Sequence, residues 1–159
     1  MKNTLPIPAQ KVQNAIIEYG YAFTVIESDV PTHTAQQAAE KVGCKLGQIV
    51  KSIIFKGSVS GKPILVLTSG ENRVNEELIS KEIGESINRA DPEFVKQSTG
   101  FPIGGVPPIA HSTPVKVFID KDLMKYETIW AAAGTPNSLF ELTPIALETM
   151  TSGKIIQVK

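Results

Sequence analysis

The chain has 159 residues, of which 42% are hydrophobic and 20% charged, proportions that are ordinary for a globular protein and exclude a disordered one. Its 16 basic residues balance 16 acidic ones, which argues against extensive binding of a nucleic-acid backbone, because proteins that bind one are usually basic. A single cysteine cannot form an internal disulfide, the apolar runs are too short to span a membrane, and the N-terminus lacks the apolar stretch of a signal peptide. We therefore expect one cytoplasmic domain over residues 1–159.

The first predicted elements are a helix, a strand and a second, short helix. Apolar residues at helical spacing predict a helix over 9–19, and AFTVIE predicts a strand over 22–27. Thr34 and Gln37 have the spacing of a capping box, which predicts a helix over 35–42.

A hairpin follows, because the β-rich runs 50–56 and 63–68 are joined by the turn-forming segment GSVSGK. The remaining elements are predicted, in chain order, as helices from Asn75 to Glu82 and over 92–98, strands over 115–120, 128–133 and 138–143, a helix opened by Thr143-Pro144, and a strand over 154–158. The strands are joined by short turns, the helices fall irregularly between them, and no strand–helix–strand repeat is present. We therefore predict an α+β fold, with helices around a mostly antiparallel, curved, barrel-like mixed sheet.

The loop GFPIGGVPPIAH, residues 100–111, is the most distinctive segment of the chain. Gly104 and Gly105 allow positive φ and close approach of another molecule, whereas Pro107 and Pro108 stiffen the backbone that follows. Such a loop can direct free N–H groups at a bound oxygen, as in an oxyanion site. An ordinary connecting loop with two tight turns is the alternative.

Lys51 is the side chain that stands out in the first hairpin. Alternation places it on the same strand face as Ile49, Ile53 and Phe55. On an inner face its ammonium would be partly desolvated and would need an anionic or carbonyl partner, whereas on an outer face it would be an ordinary edge lysine. The strand alone leaves both interpretations open.

The histidines and the cysteine give weaker signals. His111 follows the glycine-rich loop and either orients substrate or water, or bonds a neighbouring carbonyl for structural reasons. His33 is expected to be a loop residue without a role. Neither forms metal-ligand spacing with Cys44, and no base adjoins that thiol, so we expect no metal, no cofactor and no thiol nucleophile.

Two further segments stand in a specific order with the glycine-rich loop: TAQQAAEKVGCKLGQIVKSIIF at 34–55 and IWAAAGTPNSLFELTP at 129–144. In this order they resemble the YbaK and prolyl-tRNA-synthetase-associated editing domains, which hydrolyse amino acids wrongly attached to tRNA. The resemblance covers roughly residues 10–158. It implies a free-standing editing domain rather than one fused to a synthetase.

The resemblance also implies which residues form the site. The family's active-site lysine corresponds to Lys51 and its glycine-rich loop to Gly104 and Gly105, so we expect these three residues to be catalytic, with backbone N–H groups over 104–106 stabilising the oxyanion. The residues expected to bind substrate are Val106, Pro107, His111, Thr68, Gly134 and Thr135. Some members have a serine where this chain has Val106, so the family's substrate preference does not transfer directly.

The expected function is trans-editing, in which the ester of a mischarged tRNA is hydrolysed: tRNA-Pro, or a related tRNA carrying a small amino acid. The expected partner is the tRNA acceptor end, whose few phosphates suit the locally basic segment 41–62, and a synthetase partner is left open. Two alternatives also remain open, namely a non-catalytic module that binds an aminoacyl or nucleotide end, and an esterase for small molecules.

Overall fold

The computed structural model describes residues 4–159 and confirms the predicted α+β class. The five α-helices of this part of the chain are Ile7–Glu18 (α1), Ala35–Val42 (α2), Glu76–Ile83 (α3), Pro92–Thr99 (α4) and Pro144–Thr151 (α5). Two short 3-10 helices, Leu46–Gln48 and Lys121–Lys125, were not predicted. Helix α1 begins earlier than predicted, and it buries Ala9, Val12 and Ile16.

Local chemistry fixes the ends of the short helices. The Thr34 side chain accepts a hydrogen bond from Gln37 N at 3.1 Å at the start of α2, and Gly43 ends that helix at a φ of +74°. Asp91 caps α4 by accepting from Phe94 N at 2.8 Å. A capping oxygen satisfies one of the free N–H groups of the first turn, which is why these boundaries could be predicted.

One sheet contains all eight described strands: Val25–Glu27 (β1), Ile49–Gly57 (β2), Pro63–Ser69 (β3), Ile87–Arg89 (β4), Lys116–Asp120 (β5), Ile129–Ala132 (β6), Ser138–Leu142 (β7) and Lys154–Ile156 (β8). Seven of them were predicted. Strand β4 was missed because three residues are too few to show a period-two pattern.

The strand order is β1-β7-β6-β2-β3-β5-β8, with β4 paired to β2 beside the β2–β3 hairpin. Four of the seven pairings are antiparallel, and three, β2–β6, β3–β5 and β5–β8, are parallel. Among the described residues β1 and β8 end this order without pairing to each other, so the mixed sheet is open and does not close into a barrel.

Helices cover both faces of the sheet, and β2 is buried between them. On one face Val50 and Ile54 join the main core with α1 and α5. On the other face Ile49 packs with α2, while Phe55 packs with α3 in a separate cluster. Lys51 therefore lies on β2 between two small apolar clusters, at the one stretch of this face where the strand is not fully covered.

Within residues 4–159 no helix is both long and apolar enough to cross a membrane.

Candidate active site

A pocket of about 500 Å³ opens beside the start of β2, where α2, β6 and the loop before β5 approach that strand. Its apolar wall includes Ile49, Val50, Val106, Ala132 and Leu139. Its volume is typical of small-molecule sites, which span about 300–1,000 Å³. Three of the predicted site residues, Lys51, Gly104 and Val106, line this pocket together although they are far apart in the sequence.

Lys51 is half-buried and has a carbonyl partner. Its Nζ donates to the main-chain oxygen of Asn72 at 2.6 Å. Opposite it in the hairpin stands Thr68 on β3. The inner-face interpretation of this lysine is therefore the one that the structure shows.

The charges around Lys51 act in opposite directions. Burial lowers the pKa of Lys51, and the neighbouring guanidinium groups of Arg73 and Arg89 lower it further, whereas the Asp120 carboxylate raises it. The ammonium retains two hydrogens besides the one bonded to Asn72, and Lys51 is among the residues that line the pocket.

The glycine-rich loop turns at residues 102–105. Gly105 N donates to Pro102 O at 3.0 Å, and Gly104 has a φ of +90°, which is the position of a β-turn that requires positive φ. Since the Gly105 N–H is used inside the turn, it is not free for an oxyanion. No hydrogen bond within residues 4–159 has the N–H of Gly104 or Val106 as donor, and both residues line the pocket. The predicted role as oxyanion donors is therefore compatible with these two N–H groups.

Gly134 and Thr135 pack against the glycine-rich loop and do not line the pocket. Gly134 N donates to Gly105 O at 2.9 Å, and a Cβ at Gly105 would lie 2.9–3.0 Å from backbone atoms of Thr135. Only glycine allows two backbones to approach so closely. Their predicted contact with substrate is therefore better described as packing that fixes the loop.

His111 stabilises the end of the same loop. Its Nε2 lies 2.7 Å from the main-chain oxygen of Pro107, and since a carbonyl only accepts, that nitrogen carries the hydrogen. Between these residues Ala110 has a φ of +70°, a strained conformation for a residue with a Cβ. Neither Pro107 nor His111 lines the pocket, so the structural alternative for His111 has the better support.

Acid should destabilise the protein through His111. Burial lowers its pKa below the usual 6.5. The unfolded chain then binds the proton more readily, so the free energy of unfolding should fall as the pH drops from about 6.5 through the lower folded-state pKa. Denaturant titrations at several pH values should show a flatter pH dependence in His111→Gln. His33→Gln, at an exposed histidine, is the matched control, and an equal flattening there would contradict this assignment.

Thr68 belongs to a buried polar cluster and does not line the pocket. Its hydroxyl donates to Asp120 Oδ2 at 3.0 Å, and Asn72 Nδ2 donates to the same oxygen at 2.8 Å. Asn72 and Asp120 were not singled out in the sequence. A carboxylate as the last residue of the apolar strand VKVFID was the available signal, because buried charges need partners.

His33 lies in a loop, as expected, and lines the pocket at an exposed position. Cys44 lies elsewhere, with its Sγ 3.3 Å from Lys45 O. Burial, and secondly the charge of Glu141, raise the pKa of this thiol, which makes it a poor nucleophile. Over residues 4–159 no three His, Cys, Asp or Glu side chains come together in a group able to hold a metal ion.

Sequence comparison identifies relatives of this chain. The model of the family described as "Aminoacyl-tRNA editing domain" matches residues 29–150. The protein named "Uncharacterized protein YwhH" from Bacillus subtilis (strain 168) is 31% identical over 131 residues, which cover 82% of this chain and 83% of that protein. The "Putative Cys-tRNA(Pro)/Cys-tRNA(Cys) deacylase EbsC" from Enterococcus faecalis is 23% identical over 126 residues, covering 79% and 76% of the two chains.

Structural comparison agrees with the sequence matches. A solved structure described as "a putative trans-editing enzyme for prolyl tRNA synthetase" superimposes with a TM-score of 0.92 and 41% sequence identity. The match covers 98% of this chain and 99% of that one.

Proposed function

Because the chain belongs to the aminoacyl-tRNA editing domain family, we propose that it is a trans-editing deacylase, which hydrolyses the ester between a wrongly attached amino acid and its tRNA. One observation carries the proposal. Lys51, Gly104 and Val106 line the same pocket, and within residues 4–159 no hydrogen bond uses the N–H of Gly104 or Val106 as donor, so a cation and two candidate oxyanion donors belong to one small volume.

The N–H groups of Gly104 and Val106 are suited to the developing oxyanion. Attack of water on the ester carbonyl places negative charge on the carbonyl oxygen, and fixed donors stabilise that charge without reorganising during the reaction. One such donor is worth about 10²–10³ in rate. The turn at 102–105 holds these donors in place through the Gly105–Pro102 hydrogen bond.

Lys51 positions the substrate. Its ammonium is fixed at one side by Asn72 O and offers its remaining hydrogens to the ester carbonyl or to the phosphate of the terminal adenosine. Water attacks the carbonyl, and a ribose hydroxyl of the substrate takes part in the proton transfer. The ester is intrinsically labile, so this arrangement needs no carboxylate base, and none of the residues that line the pocket is a carboxylate.

The apolar wall suits a small amino acid side chain. Ile49, Val50 and Leu139 line the pocket together with Lys51 and limit the space available to the aminoacyl group. A wall of this kind rejects larger side chains sterically, whereas it distinguishes one methylene by only about 1–3 kcal/mol. We infer that the substrate is tRNA-Pro, or a related tRNA, carrying a small amino acid, and the similarity to the Enterococcus faecalis protein named as a Cys-tRNA(Pro)/Cys-tRNA(Cys) deacylase supports this inference.

The tRNA acceptor end can enter along the side of the pocket. A second cavity of about 180 Å³ shares Trp130 and Leu139 with the pocket, and its charged lining residues are Lys41 and Glu27. An aromatic ring and a cation at adjoining positions suit a terminal base and a phosphate.

A panel of charged tRNAs tests the function. We expect faster hydrolysis of alanyl- and cysteinyl-tRNA-Pro than of prolyl-tRNA-Pro, measured as loss of labelled aminoacyl ester in single turnover. Equal turnover of free aminoacyl esters would favour a small-molecule esterase instead. Tight binding of mischarged tRNA without any hydrolysis would favour a binding module.

Catalysis should need neither a metal nor the thiol. We expect deacylation to survive exhaustive treatment with EDTA and the substitution Cys44→Ser, because no metal-holding group is found within residues 4–159 and burial disfavours the thiolate. Initial rates before and after chelation check the first point. Loss of activity with EDTA that one added metal restores would show that the reaction needs a metal ion.

A further inference from the structure

A buried carboxylate lies behind Lys51, outside the pocket. Asp120 is 1% exposed at the end of β5, and it accepts four hydrogen bonds. Three donors converge on Oδ2: the Thr68 hydroxyl at 3.0 Å, Ser69 N at 2.9 Å and Asn72 Nδ2 at 2.8 Å. Asp122 N donates to Oδ1 at 2.9 Å.

Asn72 connects this carboxylate to the lysine. Asn72 is 3% exposed, and its side chain donates to Asp120 Oδ2 and to Asp122 Oδ2, both at 2.8 Å. The main-chain oxygen of the same residue accepts from Lys51 Nζ at 2.6 Å. The side chain of Asn72 therefore fixes the position of the carbonyl that holds the ammonium.

We propose that Asp120 is a positioning residue for Lys51 and acts through Asn72. The proposal rests on the function proposed above, in which Lys51 contacts the substrate. Neither Asp120 nor Asn72 lines the pocket, so neither touches the substrate.

Only an ionised carboxylate satisfies the four donors. An ionised aspartate accepts at both oxygens and donates nothing, whereas an asparagine has a donor NH₂ at one end. In Asp120→Asn that NH₂ would face either Asp122 N–H or the three donors on the other side, and buried groups would be left unpaired. Asp120 therefore specifies the position of Asn72 more strictly than any neutral residue of the same shape.

The charge of Asp120 also bears on Lys51. Arg73 follows β3 and Arg89 lies on β4, and both cations lower the pKa of Lys51, as does burial. Asp120, on β5, opposes them. Asp122, on the 3-10 helix after β5, is the further carboxylate bound to Asn72. Removing the negative charge of Asp120 should therefore lower the pKa of Lys51, because the effect of the two guanidinium groups is no longer opposed.

NMR of the protein with labelled lysine side chains tests the proposal without any substrate. The Lys51 signal is assigned by its absence in Lys51→Arg. We expect a lower Lys51 pKa in Asp120→Asn than in the wild type, and faster solvent exchange of the Nζ hydrogens in Asn72→Ala, whose carbonyl has lost its side-chain anchors.

Two control variants separate this effect from general changes. Glu82→Gln removes a carboxylate that pairs on the surface with Lys154, at 2.7 Å. Asn75→Ala removes the cap of α3, in which Asn75 Oδ1 accepts from Glu77 N, and so lowers stability through another part of the fold. Both should leave the Lys51 signal as in the wild type. A wild-type Lys51 pKa in Asp120→Asn together with wild-type exchange of the Nζ hydrogens in Asn72→Ala would overturn the proposal. If Asp120→Asn does not fold, the exchange rate in Asn72→Ala decides alone.

Deacylation kinetics give a second readout. In Asp120→Asn we expect kcat to fall on the order of 10–100-fold, the scale of a misplaced catalytic group. After subtraction of spontaneous hydrolysis, the alkaline limb of the rate profile should move to lower pH. A shifted Lys51 signal in a protein that deacylates no tRNA would support the positioning role and contradict the proposed function. An unshifted Lys51 signal in a protein with normal deacylation would contradict the positioning role and support the proposed function.

Discussion

Replacing Lys51 with alanine should abolish deacylation while leaving the fold intact. The ammonium is the only cationic side chain among the residues that line the pocket, and its Nζ is already oriented by Asn72 O. Loss of such an electrostatic contact costs about 10²–10³ in rate. Lys51→Met, which keeps the apolar stem, should be equally inactive, and single-turnover hydrolysis of mischarged tRNA measures both variants.

Lys51→Arg and Lys56→Ala make the test specific. The arginine variant should also be poor, because a planar guanidinium fork does not reproduce a compact ammonium. Lys56 lies on the same strand but is exposed, with its Nζ 4.9 Å from the centre of the Phe94 ring. Because it belongs to the basic segment 41–62, Lys56→Ala should at most weaken tRNA binding and should keep a normal kcat at saturating tRNA. Near-normal kcat in folded Lys51→Ala would remove the lysine from the mechanism.

Gly105→Ala should lower both the rate of deacylation and the stability of the protein. The new Cβ would lie 2.9–3.0 Å from the backbone of Thr135, and backbone atoms cannot move aside as a flexible side chain can. The loop must then shift, which displaces the N–H groups of Gly104 and Val106. We expect kcat to fall about tenfold or more, on the scale of a weakened oxyanion donor, and the thermal unfolding temperature to fall as well.

Gly104→Ala separates loop geometry from stability. At Gly104 a Cβ would meet no atom within 4 Å, but the φ of +90° costs a residue with a Cβ about 1 kcal/mol or more. Gly84, the C-cap of α3, is the matched control, because it has a φ of +81° and equally open surroundings away from the pocket. Gly104→Ala and Gly84→Ala should lose similar stability, and only Gly104→Ala should lose deacylation activity. Unchanged single-turnover rates in folded Gly104→Ala and Gly105→Ala would exclude the loop from the site.

The sequence by itself determined most of the secondary structure and the fold class. Helix limits at Thr34, Gly43 and Asp91 depend on contacts within a few residues, so short segments contain the information that fixes them. The strands of the first hairpin show an apolar pattern long enough to be recognised. Strand β4 has three residues and is stabilised by pairing with β2, which no local pattern could reveal.

The candidate site was predicted in part. The sequence singled out Lys51, Gly104 and Val106, and the tertiary structure shows that they line one pocket. It did not indicate that the Gly105 N–H is used within the loop, or that Gly134 supports that loop. These details depend on how two segments lie against each other, and the residue types alone are compatible with several arrangements.

Only the tertiary structure decided the surroundings of Lys51. The sequence left open whether its strand face was inner or outer, and the answer came from two separate clusters that pack on either side of it. The connection from Asp120 through Asn72 to Lys51 joins β5, the segment after β3 and β2. Hydrogen bonds between residues so distant in the chain follow from strand order and register, because the sheet brings together groups that sequence spacing does not relate.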